Sequence, residues 1–160
     1  MEAKTVCKTG LIFFLAFGIA WLVMPLAPHR DLDAAGCGPR ALQAVAWKLG
    51  SRQSQDTVLA LFPDYGSFVS MDDLERVAPK LGLEAHVRFL TIAHMRRERP
   101  LGVLHVDGTH FVAVVGYEPD TLLVVDSVYP GESRPVRWFF EDLQMRWDGA
   151  ILVLSPGRRP

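Results

Sequence analysis

Cysteine is scarce in this chain, and neither sign of charge is in excess. The 160 residues include two cysteines, Cys7 and Cys37, and 17 basic against 18 acidic residues, which gives a formal net charge of −1. This near balance excludes the broad basic face that nucleic-acid binding requires, and there is no acidic tail. The chain also lacks internal repeats and low-complexity segments, so its length indicates one domain plus at most a short extension.

One long apolar run interrupts this even composition. Residues 10–27, GLIFFLAFGIAWLVMPLA, carry no charge. As a helix that rises 1.5 Å per residue, the run would span about 27 Å, close to the thickness of a bilayer core. A buried core helix is the alternative, but no charged residue interrupts the run, and Trp21 lies near its far end. The sequence therefore predicts one transmembrane helix or a signal segment.

The charges around the run predict its orientation. Lys4 and Lys8 precede it, whereas Asp31 and Asp33 offset Arg30 after it. Because positive charge is retained on the cytoplasmic side of membranes, we expect the N-terminus in the cytoplasm and the rest of the chain on the outer or periplasmic side.

The same region defines the expected domain boundary. We expect an uncleaved single-pass membrane anchor, because Pro28 is poorly suited to follow a cleavage point; secretion after signal cleavage is the alternative. Residues 1–30 would form a cytoplasmic stub and the anchor, and residues 31–160 one domain, large enough for a core of its own. Cys7 and Cys37 would then lie on opposite sides of the membrane, so Cys37 is predicted to be a lone thiol.

The first half of this domain has helical patterns. Gly38 and Pro39 open a predicted helix that runs to about Lys48 with one apolar face. Another helix is predicted to start at Ser70, because Ser70 and Asp73 have the spacing of a capping box.

From residue 83 onward the hydrophobic period becomes that of strands. The run LEAHVRF alternates like a strand, and turn signals separate five later runs rich in β-branched residues: LGVLHV, HFVAVVGY, TLLVVDS, RPVRWF and AILVLS. Two short helices, TIAHMRRER and FFEDLQMRW, are expected between them. N-terminal helices followed by an antiparallel sheet indicate an α+β fold.

Two of these strands place a histidine beside a carboxylate. If they form a hairpin with its turn near Glu118, His110 faces Asp126 to within one or two positions. Side chains that are directly opposite on one face lie about 5 Å apart at Cβ, so the carboxylate can orient the imidazole. The structural alternatives are a histidine that caps the adjacent Asp107-Gly108 turn and an aspartate that ends its strand in an Asx turn.

Cys37 lies between two glycines where the first predicted helix begins. The unpaired amides and the partial positive charge of a helix N-terminus favour thiolate over thiol. With His110 as base and Asp126 behind it, Cys37 completes a nucleophile–base–orienter set in the chain order of papain-like enzymes. A buried cysteine that acts as a small hydrophobe is the alternative.

The segments GCGPRAL, GTHFVAVVGY and VVDS resemble the peptidase domain that processes double-glycine leader peptides in bacteriocin exporters. That family consists of papain-like cysteine peptidases and has free-standing relatives, and the resemblance covers residues 31–128. It implies a papain-like fold with Cys37 as the nucleophile, His110 as the base and Asp126 as the orienting residue. It also implies a peptide or protein substrate, cleavage after Gly-Gly if specificity is shared, and a membrane transporter or secretion component as a partner.

The sequence departs from the family pattern in three places. The family usually has a glutamine about six residues before the cysteine that helps to bind the oxyanion, and here Asp31 occupies that position. A carboxylate would repel the developing charge, and losing one such donor typically costs on the order of 10²–10³ in rate. Asp126 is followed by Ser127 where the family usually has proline. The exporter peptidases also work in the cytoplasm, whereas the charges here place the domain outside.

These departures keep two other functions open. A catalytically impaired, peptidase-like module would bind leader or secreted peptides without cleaving them; the missing glutamine favours it, and the retention of Cys37, His110 and Asp126 opposes it. Acyl transfer to an amine is the third outcome, which only product analysis separates from hydrolysis.

Three other histidines of this domain predict no metal site and no cofactor. The spacing of His86, His94 and His105 relative to His110 fits no familiar zinc pattern, and no second cysteine lies on that side of the membrane. His105 is expected to point outward from its strand, and His94 lies on a polar helix.

Overall fold

The computed structural model describes residues 36–62, 69–126 and 134–157. The chain divides into two compact units, residues 1–30 and 31–160, and every described residue belongs to the second. The predicted anchor at residues 10–27 therefore lies outside the described residues. In the described ranges, no helix combines the length and hydrophobicity needed to cross a bilayer.

Three helices precede the sheet. They are α1 (Cys37–Lys48), α2 (Gln55–Leu59) and α3 (Met71–Val77), the last extended by a 3-10 turn, Ala78–Leu81. Helix α1 begins one residue earlier than predicted and ends where predicted. The predicted capping box is confirmed at α3: the Ser70 hydroxyl accepts from the Asp73 amide, and the Asp73 carboxylate accepts from the Ser70 amide.

Six strands form one antiparallel sheet in the order β1-β6-β2-β3-β4-β5. The strands are β1 (Leu83–Phe89), β2 (Gly102–Val106), β3 (His110–Tyr117), β4 (Thr121–Asp126), β5 (Val136–Phe139) and β6 (Trp147–Pro156). Two short helices lie between strands, α4 (Ile92–Glu98) and α5 (Phe140–Arg146). The predicted α+β fold, with N-terminal helices followed by an antiparallel sheet, is confirmed.

Helices cover both faces of this sheet. One core cluster joins α1–α3 to one face and includes Leu42 and Phe111, and a second joins α4 and α5 to the other face and includes Phe140 and Val112. Phe111 and Val112 are neighbours on β3, so this strand is buried on both sides. Its five consecutive buried residues explain why β3 has an unbroken apolar run instead of an alternating pattern.

Candidate active site

Cys37 is the first residue of α1 and is only 8% exposed. A Cβ atom at Gly38 would lie 3.3 Å from Cδ2 of Phe111 and 3.3 Å from Cγ1 of Val69. Glycine at this position therefore lets the first turn of α1 lie close against β3. The Gly38 amide hydrogen-bonds the Cys37 sulfur, as expected for an anionic group at a helix N-terminus.

His110 is the first residue of β3, directly after a tight turn that joins it to β2. The turn contains Asp107 and Gly108, both with positive φ, of 52° and 72°. The His110 Nε2 atom lies 2.8 Å from Oδ1 of Asp126, and both side chains are largely buried. His110 also hydrogen-bonds the Cys37 side chain. Since Asp126 engages Nε2, we assign Nδ1 as the nitrogen that faces the sulfur.

A β-bulge places His110 and Asp126 on the same face of the sheet. The register between β3 and β4 shifts between Val114 and Gly116, so that Asp126 pairs with Val112. His110 lies two residues before Val112 and therefore shares its face. The sequence predicted that His110 would face Asp126 to within one or two positions, and the observed offset is two.

The neighbouring groups shift the protonation of Cys37 and His110 in opposite directions. Burial raises the pKa of the Cys37 thiol, but hydrogen bonds from His110 and from the backbone amides of Phe111 and Gly38 outweigh it and leave the pKa lowered. The hydrogen bond with Cys37 raises the pKa of His110; burial opposes this rise, and Asp126 adds to it. Together these shifts favour a thiolate–imidazolium pair.

A charged pair holds the turn that precedes His110. The Asp107 amide donates to the carbonyl of Arg146 at 2.8 Å, and the Arg146 Nε donates to the Asp107 carboxylate at 3.1 Å. The same guanidinium lies 4.4 Å above the ring of Trp138 on β5. Arg146 therefore ties the end of α5 and strand β5 to the residues that position His110.

His105 is the one residue of β2 that is not buried, and its side chain has two neighbours. Its Nδ1 atom lies 2.9 Å from Oδ2 of Asp148, and its ring contacts Phe111 with a centroid distance of 5.2 Å. The strand β2 stays in regular register with β3 at His105, and the register shift between Leu104 and Val106 places its extra residues in β6, where Asp148 lies. The bond to Asp148 was not predicted, because nothing in the residue types signals that shift.

Three further points bear on the chemistry of the site. The contact of the Phe111 amide with Cys37 was not predicted, because a backbone donor leaves no signal in residue type. Asp31, the residue at the oxyanion position of the family pattern, lies outside the described residues. Among the residues that the structure describes, no group of three or more His, Cys, Asp or Glu side chains could hold a metal ion.

Comparison with known proteins identifies a matching family and several solved structures with a similar fold. Residues 29–159 match the model of the Peptidase C39 family. Among solved structures, a double glycine motif protease from an AMS/PCAT transporter, in complex with the leader peptide, has a TM-score of 0.64 at 20% identity, over 75% of this chain and 84% of that one. The peptidase domain of Streptococcus ComA, a bi-functional ABC transporter involved in quorum sensing, has a TM-score of 0.65 at 23% identity, over 76% and 92%.

A third similar structure is the N-terminal peptidase C39 like domain of the toxin secretion ATP-binding protein from Vibrio parahaemolyticus. Its TM-score is 0.61 at 17% identity, over 75% of this chain and 96% of that one. No curated protein matches the chain. At these identities the structures establish a shared fold, while the family match extends over most of the sequence. This chain therefore belongs to the Peptidase C39 family, a family of cysteine peptidases.

Proposed function

We propose that this protein is a cysteine peptidase in which Cys37 is the nucleophile, His110 the general base and Asp126 the residue that orients His110. The observation that carries the proposal is the continuous hydrogen-bonded arrangement of these three side chains at the N-terminus of α1. A nucleophile, a base within hydrogen-bond reach and a third group that orients the base are the components of covalent acyl transfer.

The geometry supports a two-step hydrolysis. His110 takes the Cys37 proton, and the thiolate attacks the carbonyl carbon of the scissile peptide bond. Protonated His110 then gives its proton to the leaving amine as the C–N bond breaks, which leaves a thioester on Cys37. In the second step His110 takes a proton from water, which attacks the thioester, and the carboxylate product leaves as the Cys37 sulfur is released. Asp126 holds the imidazole and stabilises its charged form throughout.

For the substrate, we propose a peptide or protein cleaved after a Gly-Gly type leader. Support comes from the family match and from the similar fold of a double glycine motif protease in complex with the leader peptide. For a partner, we propose a membrane transporter or secretion component, since that structure and the ComA peptidase domain belong to transporters.

Asp31 favours a second candidate, a module that binds leader or secreted peptides without cleaving them. A carboxylate at the oxyanion position would raise the energy of the tetrahedral intermediate, because like charges repel. Binding of the ground-state peptide does not require an oxyanion donor, so it would survive this change. The two candidates therefore predict the same binding and different turnover.

The test is cleavage of a synthetic double-glycine leader peptide by the full chain, followed by mass spectrometry. The wild-type protein should release two fragments, one ending in Gly-Gly, and Cys37→Ala should release none. Cys7→Ala is the matched control and should cleave as the wild type does. Saturable binding of the peptide without cleavage would establish the binding module instead, and an amine-linked product would indicate acyl transfer.

A further inference from the structure

A second histidine–carboxylate pair lies at the end of the sheet that carries His110. The Nδ1 atom of His105 lies 2.9 Å from Oδ2 of Asp148, and the other carboxylate oxygen accepts the Ala150 amide at 2.9 Å. The His105 side chain is 24% exposed and the Asp148 side chain 52% exposed. The carboxylate is therefore fixed at both oxygens while the imidazole is largely covered.

Irregular backbone in β6 brings this pair together. His105 lies at the register shift between β2 and β6, and Asp148 is followed by Gly149, whose φ is 97°. A left-handed residue of this kind redirects a strand, and bulges commonly re-aim side chains beside functional sites. The irregular part of β6 lets the Asp148 side chain reach His105, which is the cross-strand neighbour of Phe111.

Phe111 is held between this pair and the first turn of α1. In the β2–β3 ladder His105 pairs with Phe111, and their ring centroids lie 5.2 Å apart. Phe111 also lies close to Gly38 in the first turn of α1, where a Cβ atom would lie 3.3 Å from Cδ2 of Phe111. Phe111 is 6% exposed, and its backbone amide hydrogen-bonds the Cys37 sulfur.

We propose that His105 and Asp148 form a positioning pair that holds Phe111 so that its backbone amide stays directed at the Cys37 sulfur. Asp148 fixes the His105 ring, the ring supports Phe111, and Phe111 presents the amide. A hydrogen bond weakens steeply as its angle departs from linearity, so a small rotation of this strand end would weaken the contact. The relevance to catalysis rests on the proposed function, but the effect on the thiol does not depend on a substrate.

The test measures the pH dependence of Cys37 alkylation by iodoacetamide in the full chain. A Cys7→Ala background leaves Cys37 as the single thiol. His105→Ala and Asp148→Ala should each raise the apparent pKa of Cys37 by about half to one unit, since a hydrogen bond to a charged group contributes on the order of one pKa unit or more. In the double variant the apparent pKa of Cys37 should rise no further than in His105→Ala, because both changes break the same hydrogen-bonded pair.

Two conservative variants separate positioning from general damage to the fold. Asp148→Asn can accept the Ala150 amide with its oxygen and donate from its amide nitrogen to the unprotonated Nδ1 of His105, so it should restore the wild-type profile. His105→Asn can still bond Asp148 but lacks the ring, so it should behave like His105→Ala. His86→Ala, on the exposed side of β1, is the matched control and should leave the profile unchanged. Thermal unfolding of each variant shows whether it is folded.

The outcomes distinguish this inference from the proposed function. A wild-type thiol with an ordinary pKa would remove the premise of both. A lowered pKa in the wild type that is unchanged in folded His105→Ala and Asp148→Ala would overturn the positioning pair alone. Additive shifts in the double variant would also overturn it, because the two residues would then act independently.

Discussion

The Asp126 carboxylate lies 2.8 Å from Nε2 of His110 because one additional residue in β3 keeps the two side chains on one face of the sheet. If the register near the turn continued without the shift between Val114 and Gly116, Asp126 would lie opposite Ala113. The side chains of Ala113 and His110 point to opposite faces, because strand residues alternate. The bulge in β3 is therefore part of the candidate site.

Replacing Asp126 should separate its hydrogen bond from its charge. Asp126→Asn removes the charge but keeps an oxygen that can accept from His110, whereas Asp126→Ala removes both the charge and the acceptor. Since Asp126 raises the pKa of His110, Asp126→Ala should lower that pKa and slow leader cleavage by about tenfold or more, the equivalent of one pKa unit. Asp126→Asn should retain more activity than Asp126→Ala. NMR titration of His110 and cleavage rates measure the two effects, and equal activity of both variants with wild type would contradict the orienting role.

The Asp107–Arg146 pair should contribute more than an ordinary surface ion pair. Arg146→Ala removes its hydrogen bonds to Asp107 and the contact of its guanidinium with Trp138. We expect a loss of about 1 kcal/mol in the free energy of unfolding, together with slower alkylation of Cys37, because the turn before His110 loses its support.

Arg137 is the matched control for that change. It pairs with Glu118 on the exposed surface at the opposite end of the β3–β4 hairpin. Arg137→Ala should leave the free energy of unfolding and the reactivity of Cys37 unchanged, because an exposed ion pair is screened by solvent. Urea denaturation and alkylation rates would check both variants, and equal effects would remove the special role of Arg146.

The capping box of α3 should make a measurable contribution to stability. Ser70→Ala removes the hydroxyl that accepts from the Asp73 amide and should cost about 1 kcal/mol in urea denaturation. Ser54 caps α2 in a similar way, but that helix has five residues and one buried side chain, Val58. Ser54→Ala should therefore lower the free energy of unfolding by less than Ser70→Ala does. A larger loss for Ser54→Ala would contradict the link between the value of a cap and the helix that it begins.

The two cysteines provide a test of the proposed membrane orientation. Cys7 precedes the apolar run at residues 10–27, and Cys37 follows it. In intact cells that produce the full chain, a membrane-impermeant thiol reagent should label Cys37 in the Cys7→Ala variant. It should label Cys7 in the Cys37→Ala variant only after permeabilisation. The opposite labelling pattern would place the domain in the cytoplasm. If neither variant were labelled before permeabilisation, both the N-terminus and the domain would lie in the cytoplasm.

Local signals in the sequence predicted most of the secondary structure. The start of α1, the capping box at Ser70 and the run that forms β1 depend on residue types close together in the chain. The β3–β4 hairpin was also predictable, because its short turn brings His110 and Asp126 near each other. These elements follow from propensity, capping and short-range pairing.

The features that were not predicted depend on the pairing of distant strands. The bond between His105 and Asp148 depends on a register shift in β6, and the two residues are 43 positions apart in the chain. The contact between the Phe111 amide and Cys37 requires α1 to pack on β3, which Gly38 permits. Neither a bulge nor a backbone donor has a residue-type signature, so both appear only when the sheet is assembled.

The most direct test of the central claim is the pH dependence of Cys37 alkylation in the wild type and in His110→Ala, both in the Cys7→Ala background. The alkylation rate follows the thiolate, so it rises as the pH rises through the pKa of Cys37. The wild-type midpoint should lie well below the value of about 8.5 for an ordinary thiol. His110→Ala should move the midpoint to higher pH, because it removes a hydrogen bond and a charge that lower the pKa while burial remains. A thiol with an ordinary midpoint that His110→Ala leaves unchanged would contradict the Cys37–His110 pair and the peptidase proposal with it.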